Sequence, residues 1–227
     1  MSRLWIAFSP YIVVSAAHAI ALALGFDEIA APTKLALMPV LAVCAMWAAR
    51  GLPATRAFTL LYVAIAFSWL GDGAGTFFVG MPEVPMMLLC FGLAHVAYIW
   101  LFWREIPVRR VPPWALVYAV WYGALLAVLW PHLGGLLVPV ALYGLVLAGT
   151  AVAASRCHPL IVWGGALFLA SDSILAFRLF LPDAMPDWTS PLVMLTYTAG
   201  QGLLAAGVVV SERLGLGRES RLREATP

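Results

Sequence analysis

Eight apolar runs follow one another along the chain, near Leu4–Leu24, Thr33–Ala49, Ala57–Phe78, Val84–Trp103, Pro113–Trp130, Leu133–Ala154, Pro159–Leu181 and Ser190–Val210. Each is close to the roughly 20 residues that a helix needs to cross the hydrocarbon of a bilayer. A backbone in hydrocarbon has no water to bond to, and a helix satisfies its own donors and acceptors within one segment. The runs therefore predict an all-α membrane bundle of eight transmembrane helices over residues 1–212, with a polar cytoplasmic tail over 213–227. The first run is longer than the roughly 7 to 15 apolar residues of a signal peptide and reads as a retained helix. Hydrophobic residues are 63% of the chain and charged ones only 11%, which excludes a soluble globular domain.

Charge tests the span count, because short cytoplasmic loops carry the excess of Lys and Arg. With eight spans, Arg3, Arg50, Arg56, Arg104, Arg109, Arg110, Arg156, Arg213, Arg218, Arg221 and Arg223 fall on one side, and only Lys34 and Arg178 on the other. One helix more or fewer would scramble that separation, so it predicts eight spans with both termini cytoplasmic. The Ala-, Leu- and Arg-rich usage with short loops points to a bacterial inner membrane. No basic patch with interleaved aromatics exists to hold a nucleic acid. Cys44, Cys90 and Cys157 are scattered, with no zinc-ligand spacing and no disulfide framework, and read as buried thiols.

Within the third run, SWLGDGAGTFF (Ser68 to Phe78), lies an acid, Asp72. A charge at bilayer depth costs at least about 2.5 to 3.5 kcal/mol, so an acid held there has a partner or a task. Ser68, Gly71, Asp72, Gly75 and Thr76 recur at helical spacing, which gathers them on one face turned from lipid. From the rise per residue, Asp72 lies about 24 Å from the cytoplasmic start of its helix and Asp172, in the seventh run, about 20 Å from its own. The two acids share a level in the outer half of the bilayer. His95 and Tyr98 in the fourth run, Tyr143 in the sixth, and Tyr197 with Gln201 in the eighth converge on the same layer. Two acids at one level favour a functional site over a structural hydrogen bond. The tyrosines, taken singly, read as packing, and His18, His132 and His158 read as structural.

Several of these segments resemble one family, the YhhN-like lysoplasmalogenases. They are Lys34 opening the second helix, SWLGD (Ser68 to Asp72), GLAHVAY (Gly92 to Tyr98) with Phe102, GALFLASDSILAF (Gly165 to Phe177), and Tyr197 with Gln201 in YTAGQ. The family usually has proline where Leu35 follows Lys34, and an aliphatic residue where Trp69 stands. The resemblance implies a membrane-embedded ether hydrolase that opens the vinyl ether bond of a lysoplasmalogen. The products would be a fatty aldehyde and glycerophosphoethanolamine or glycerophosphocholine, and the partners a lysophospholipid substrate and the bilayer. The chemistry suits paired carboxyls: one delivers a proton to the alkenyl carbon, while the other stays ionised and activates water. Asp72 and Asp172 are the expected acid and base pair. His95 is expected to orient a carboxylate or the water, and Ser171 to steady its neighbour. Ser68, Tyr98, Tyr143, Tyr197 and Gln201 are candidate supporting or headgroup contacts, and Lys34, with Arg178, stands where a phosphate would enter. No cofactor or metal is expected. A metal hydrolase using His18, His95 and an Asp would have few ligands for a catalytic zinc. The rival of another class is a proton-coupled transporter, since buried acids also mark ion paths.

Overall fold

The computed structural model describes the backbone of residues 2–224 and the side chains of residues 4–216. Met1 and residues 225–227 of the expected tail lie outside the described residues, as do the side chains of Arg3, Arg218, Arg221 and Arg223. The α-helices are α1 (Ser2–Ala23), α2 (Asp27–Ala48), α3 (Arg56–Asp72), α4 (Ala74–Phe77), α5 (Glu83–Trp100), α6 (Leu116–Leu129), α7 (Leu137–Ala154), α8 (Pro159–Phe180) and α9 (Thr189–Glu224), with no strand among the described residues. Glycine at positive φ closes two of the tight connections, Gly25 (71°) after α1 and Gly51 (82°) after α2, where a side chain would be strained. A π-helical turn, Leu101–Glu105, ends α5.

Seven helices among the described residues are long and apolar enough to cross a membrane. The expected third span is not one continuous helix. The α3 segment ends at Asp72 after 17 residues, and the four-residue α4 follows Gly73. Gly73 makes the break possible: a Cβ there would lie 2.4 Å from the Phe77 ring, which folds back to meet Trp69 with centroids 4.8 Å apart. Asp72 thus sits at a helix end rather than in mid-run. The last helix continues through 213–224, the first part of the segment expected as a tail.

Packing order closes a ring: α1 on α2, α2 on α3, α3 on α5, α5 on α7, α7 on α8, α8 on α9, and α9 back on α1. Helix α6 stands outside the ring against α7 and α8. The outer surface carries exposed large apolar side chains, among them Ile6, Val13, Val43, Leu89, Val120 and Leu142. Trp5, Trp47, Trp100 and Trp103 are exposed near one end, and Trp130 and Trp188 near the other, where amphipathic rings anchor a protein at the two interfaces. This is the surface of an integral membrane protein.

In lipid, helices associate through close packing, which small residues permit. The tightest seam joins α8 to α9, where a Cβ on Gly164 would lie 2.8 Å from the Leu204 amide nitrogen. A Cβ on Gly200 would lie 2.9 Å from the Phe168 amide nitrogen and 3.1 Å from the Gly164 carbonyl oxygen. Backbone atoms cannot rotate aside. Gly200→Ala is therefore expected to destabilise the bundle by about 1 to 3 kcal/mol, read as a lowered midpoint of thermal unfolding in detergent.

Candidate active site

Two helices carry polar residues one turn apart, Ser68 and Asp72 on α3, and Tyr197 and Gln201 on α9. At that spacing both members of each pair share a face. The helices run in opposite directions, so the pairs meet as two rungs. The Tyr197 hydroxyl donates to Asp72 Oδ2 at 2.8 Å, and Gln201 Nε2 donates to Ser68 Oγ at 3.0 Å. Tyr98 completes the lower rung by donating to Gln201 Oε1 at 2.5 Å. Ser68, Tyr98 and Gln201 are all fully buried.

The other acid is held in the same manner from a different helix. Tyr143 of α7 donates to Asp172 Oδ2, and its hydroxyl oxygen also lies 3.3 Å from His95 Nε2. His95 Nε2 is itself 3.9 Å from Asp172 Oδ2. At the far side of the imidazole, Nδ1 lies 3.1 Å from Thr150 Oγ1. The Tyr143 hydroxyl has one proton and gives it to Asp172, so its contact with His95 is a hydrogen bond with Nε2–H as donor, and Nδ1 accepts from the Thr150 hydroxyl. A continuous chain of hydrogen bonds thus runs from Thr150 through His95 and Tyr143 to Asp172.

Asp72 and Asp172 line one cavity of about 140 Å³, with Lys34, Tyr122, Tyr143, Ser171 and Tyr197 as its other polar residues. Asp72 lies within electrostatic range of both Lys34 and Asp172. The remaining wall is apolar and includes Leu125, Leu126 and Leu129 of α6 and Leu175, Leu179 and Phe180 of α8. Behind the carboxylates, Phe91, Phe168 and Tyr197 pack edge to face with centroids 5.4 to 6.4 Å apart. Gly71 admits this cluster, since a Cβ there would lie 2.5 Å from the Phe91 ring. The arrangement is a mainly apolar chamber presenting two carboxyl groups, each with a phenol in support.

The model of the YhhN family matches residues 29–208, most of the chain. The chain belongs to the YhhN family. No curated protein and no solved structure matches it. The YhhN match takes in every candidate site residue named above and leaves out α1, which closes the ring between α2 and α9. Trp69 Nε1 donates to the Leu35 carbonyl at 2.9 Å and ties α3 to α2.

One sequence-based expectation changes, and two alternatives left open are narrowed. Ser171 does not steady Asp172; its hydroxyl donates to the Val193 carbonyl at 2.9 Å and ties α8 to α9. Tyr98, Gln201 and Ser68 do not line the cavity but form the floor beneath it, each committed to another member of the network. His18 is not near His95: it bonds Thr33 across α1 and α2, whereas His95 bonds Thr150 of α7. Thr150 went unnoticed in the sequence, although it stands seven residues after Tyr143 and so on the same helical face. Among the described residues no three His, Cys, Asp or Glu side chains converge as metal ligands.

Proposed function

We propose that the chain is a lysoplasmalogenase whose reaction is carried by Asp72 and Asp172. The supporting observation is the placement of both carboxyl groups on one largely apolar cavity, each bonded by a tyrosine hydroxyl. A vinyl ether opens when its outer alkenyl carbon takes a proton, leaving positive charge shared between the inner carbon and the ether oxygen. One carboxyl gives that proton. The other, ionised, faces the cation and takes a proton from the water that adds to the inner carbon. The hemiacetal so formed breaks its carbon–oxygen bond, releasing a fatty aldehyde and the glycerol hydroxyl, with one water consumed. Neighbouring carboxyls divide these roles because like charges at close range do not both ionise. The fatty chain lies along the Leu-lined wall of α6 and α8.

Within this reading all eight apolar runs cross the bilayer, α3 with α4 forming the third crossing. The arginine-rich loops and both termini face the cytoplasm of a bacterial cell, and the cavity opens toward the opposite leaflet. The deciding experiment measures aldehyde release by the purified protein from lysoplasmenylethanolamine and lysoplasmenylcholine. No aldehyde from either substrate would sink the proposal.

Thr150 supplies a finer check. Thr150→Val removes the hydrogen-bond partner of His95 Nδ1 while keeping the side-chain shape, so the imidazole and the Tyr143 hydroxyl lose their fixed orientation. The expected result is a kcat lower by about 10- to 100-fold with little change in KM. Thr150→Ser, which keeps the hydroxyl, is expected to restore most of it.

A further inference from the structure

Beside the carboxylate cavity lies a second recess of about 320 Å³ between α1, α2, α8 and α9. Lys34, Leu175, Val193 and Met194 line both spaces, which makes the recess a side chamber of one site. Its charged side chains are Asp27, Lys34 and Arg178. Among the described residues neither Lys34 nor Arg178 has a carboxylate oxygen within 4.0 Å. Arg178 gives Nη1 to neutral oxygens alone, the Pro186 carbonyl at 3.2 Å and Thr189 Oγ1 at 2.5 Å. Two cations on one recess, neither in contact with a carboxylate, repel each other, and an incoming phosphate removes that repulsion. The fork of an arginine beside the point charge of a lysine is a suitable pair for a phosphate oxygen set.

His18 makes a separate observation. It is 1% exposed and lines the same recess. Its Nδ1 lies 3.0 Å from Thr33 Oγ1, whose own proton goes to the Ile29 carbonyl at 2.6 Å, so Nδ1 is the donor in that contact. The Nε2 of the neutral ring is then an acceptor, and it is buried with no partner. An unmet buried acceptor is costly, and a ligand N–H or a bridging water relieves the cost. The recess therefore offers two cations without a contacting carboxylate together with two acceptors, the Asp27 carboxylate and the His18 nitrogen.

We propose that this side chamber seats the zwitterionic headgroup of a phosphoethanolamine lipid, with the phosphate between Lys34 and Arg178 and the ammonium toward Asp27 and His18. The assignment rests on the lysoplasmalogenase reading for its substrate and adds a preference to it. An ethanolamine ammonium has three N–H donors, whereas a choline has none, so only the former meets the acceptors. His18 belongs to α1, outside the family match, so the preference is carried in part by this chain's own first helix.

The test uses the full chain and five substrates or ligands: lysoplasmenylethanolamine, lysoplasmenylcholine, a phosphate-free 1-alkenylglycerol, glycerophosphoethanolamine and inorganic phosphate. In Arg178→Gln the ratio of kcat/KM for the phospholipids to that for alkenylglycerol is expected to fall about tenfold or more. Arg178→Lys, which keeps the charge and alters the hold on Pro186 and Thr189, is expected to keep most of the ratio. In Asp27→Asn the ethanolamine-to-choline ratio is expected to fall several-fold. Unchanged ratios in Arg178→Gln and Asp27→Asn would overturn the assignment. Calorimetric titration separates this from the reaction itself: binding of glycerophosphoethanolamine that weakens in Arg178→Gln supports the chamber even if no substrate is hydrolysed. Binding of inorganic phosphate alone, with no response to glycerophosphoethanolamine, would overturn it in favour of a free-anion site.

Discussion

Asp172→Asn and Asp72→Asn are each expected to lower aldehyde release by about 10²- to 10⁴-fold, the usual contribution of a positioned acid or base. Asparagine keeps the shape of aspartate and an oxygen that still accepts from Tyr143 or Tyr197, so the bundle keeps its fold while the titrating group is gone. The double variant is expected to lose little more than the worse of the two singles, because the pair acts as a unit. The check is kcat from initial rates of aldehyde formation, with thermal unfolding of each variant as the control for folding. Near-normal turnover by either single variant would remove that carboxyl from the reaction.

The second large effect is on stability. Gln201→Leu is expected to destabilise the bundle by about 2 to 4 kcal/mol, because Tyr98 and Ser68 both lose their partner at sites fully closed to water. Tyr98→Phe added to Gln201→Leu is expected to recover part of the loss, since no phenol is then left unpaired. Non-additivity in this double-mutant cycle, read by denaturation in detergent, measures the coupling directly. Additive losses would mean that the floor is held by packing alone.

Much of this site was legible in the residues. Asp72 and Asp172 stood out because an acid in an apolar run needs a reason, and counting the rise per residue put them at one level. Helical spacing also grouped Ser68 with Asp72, and depth put Tyr197 and Gln201 in the same layer. What spacing does not contain is the rotation of one helix against another. Only packing shows that Tyr197 reaches Asp72 while Tyr143 reaches Asp172, or that Ser171 turns to the Val193 carbonyl instead of its neighbour. The break at Gly73 was hidden for a related reason. GDGAGTFF carries three glycines that permit a break, but the ring of Phe77 folding onto Trp69, which accompanies the break, is a tertiary event that hydropathy does not record.

The lower half of the ring holds a further consequence. Beneath the rung formed by Ser68, Gln201 and Tyr98, the buried side chains toward the arginine-rich end are mainly apolar, among them Leu41, Phe58, Leu61, Phe102, Ile161 and Leu204. An energised membrane is a charged capacitor, and any wet thread through it is a leak. An oily plug of this kind keeps the insulation whole, so the proposed acid chemistry can proceed near one face without draining the voltage stored across the film.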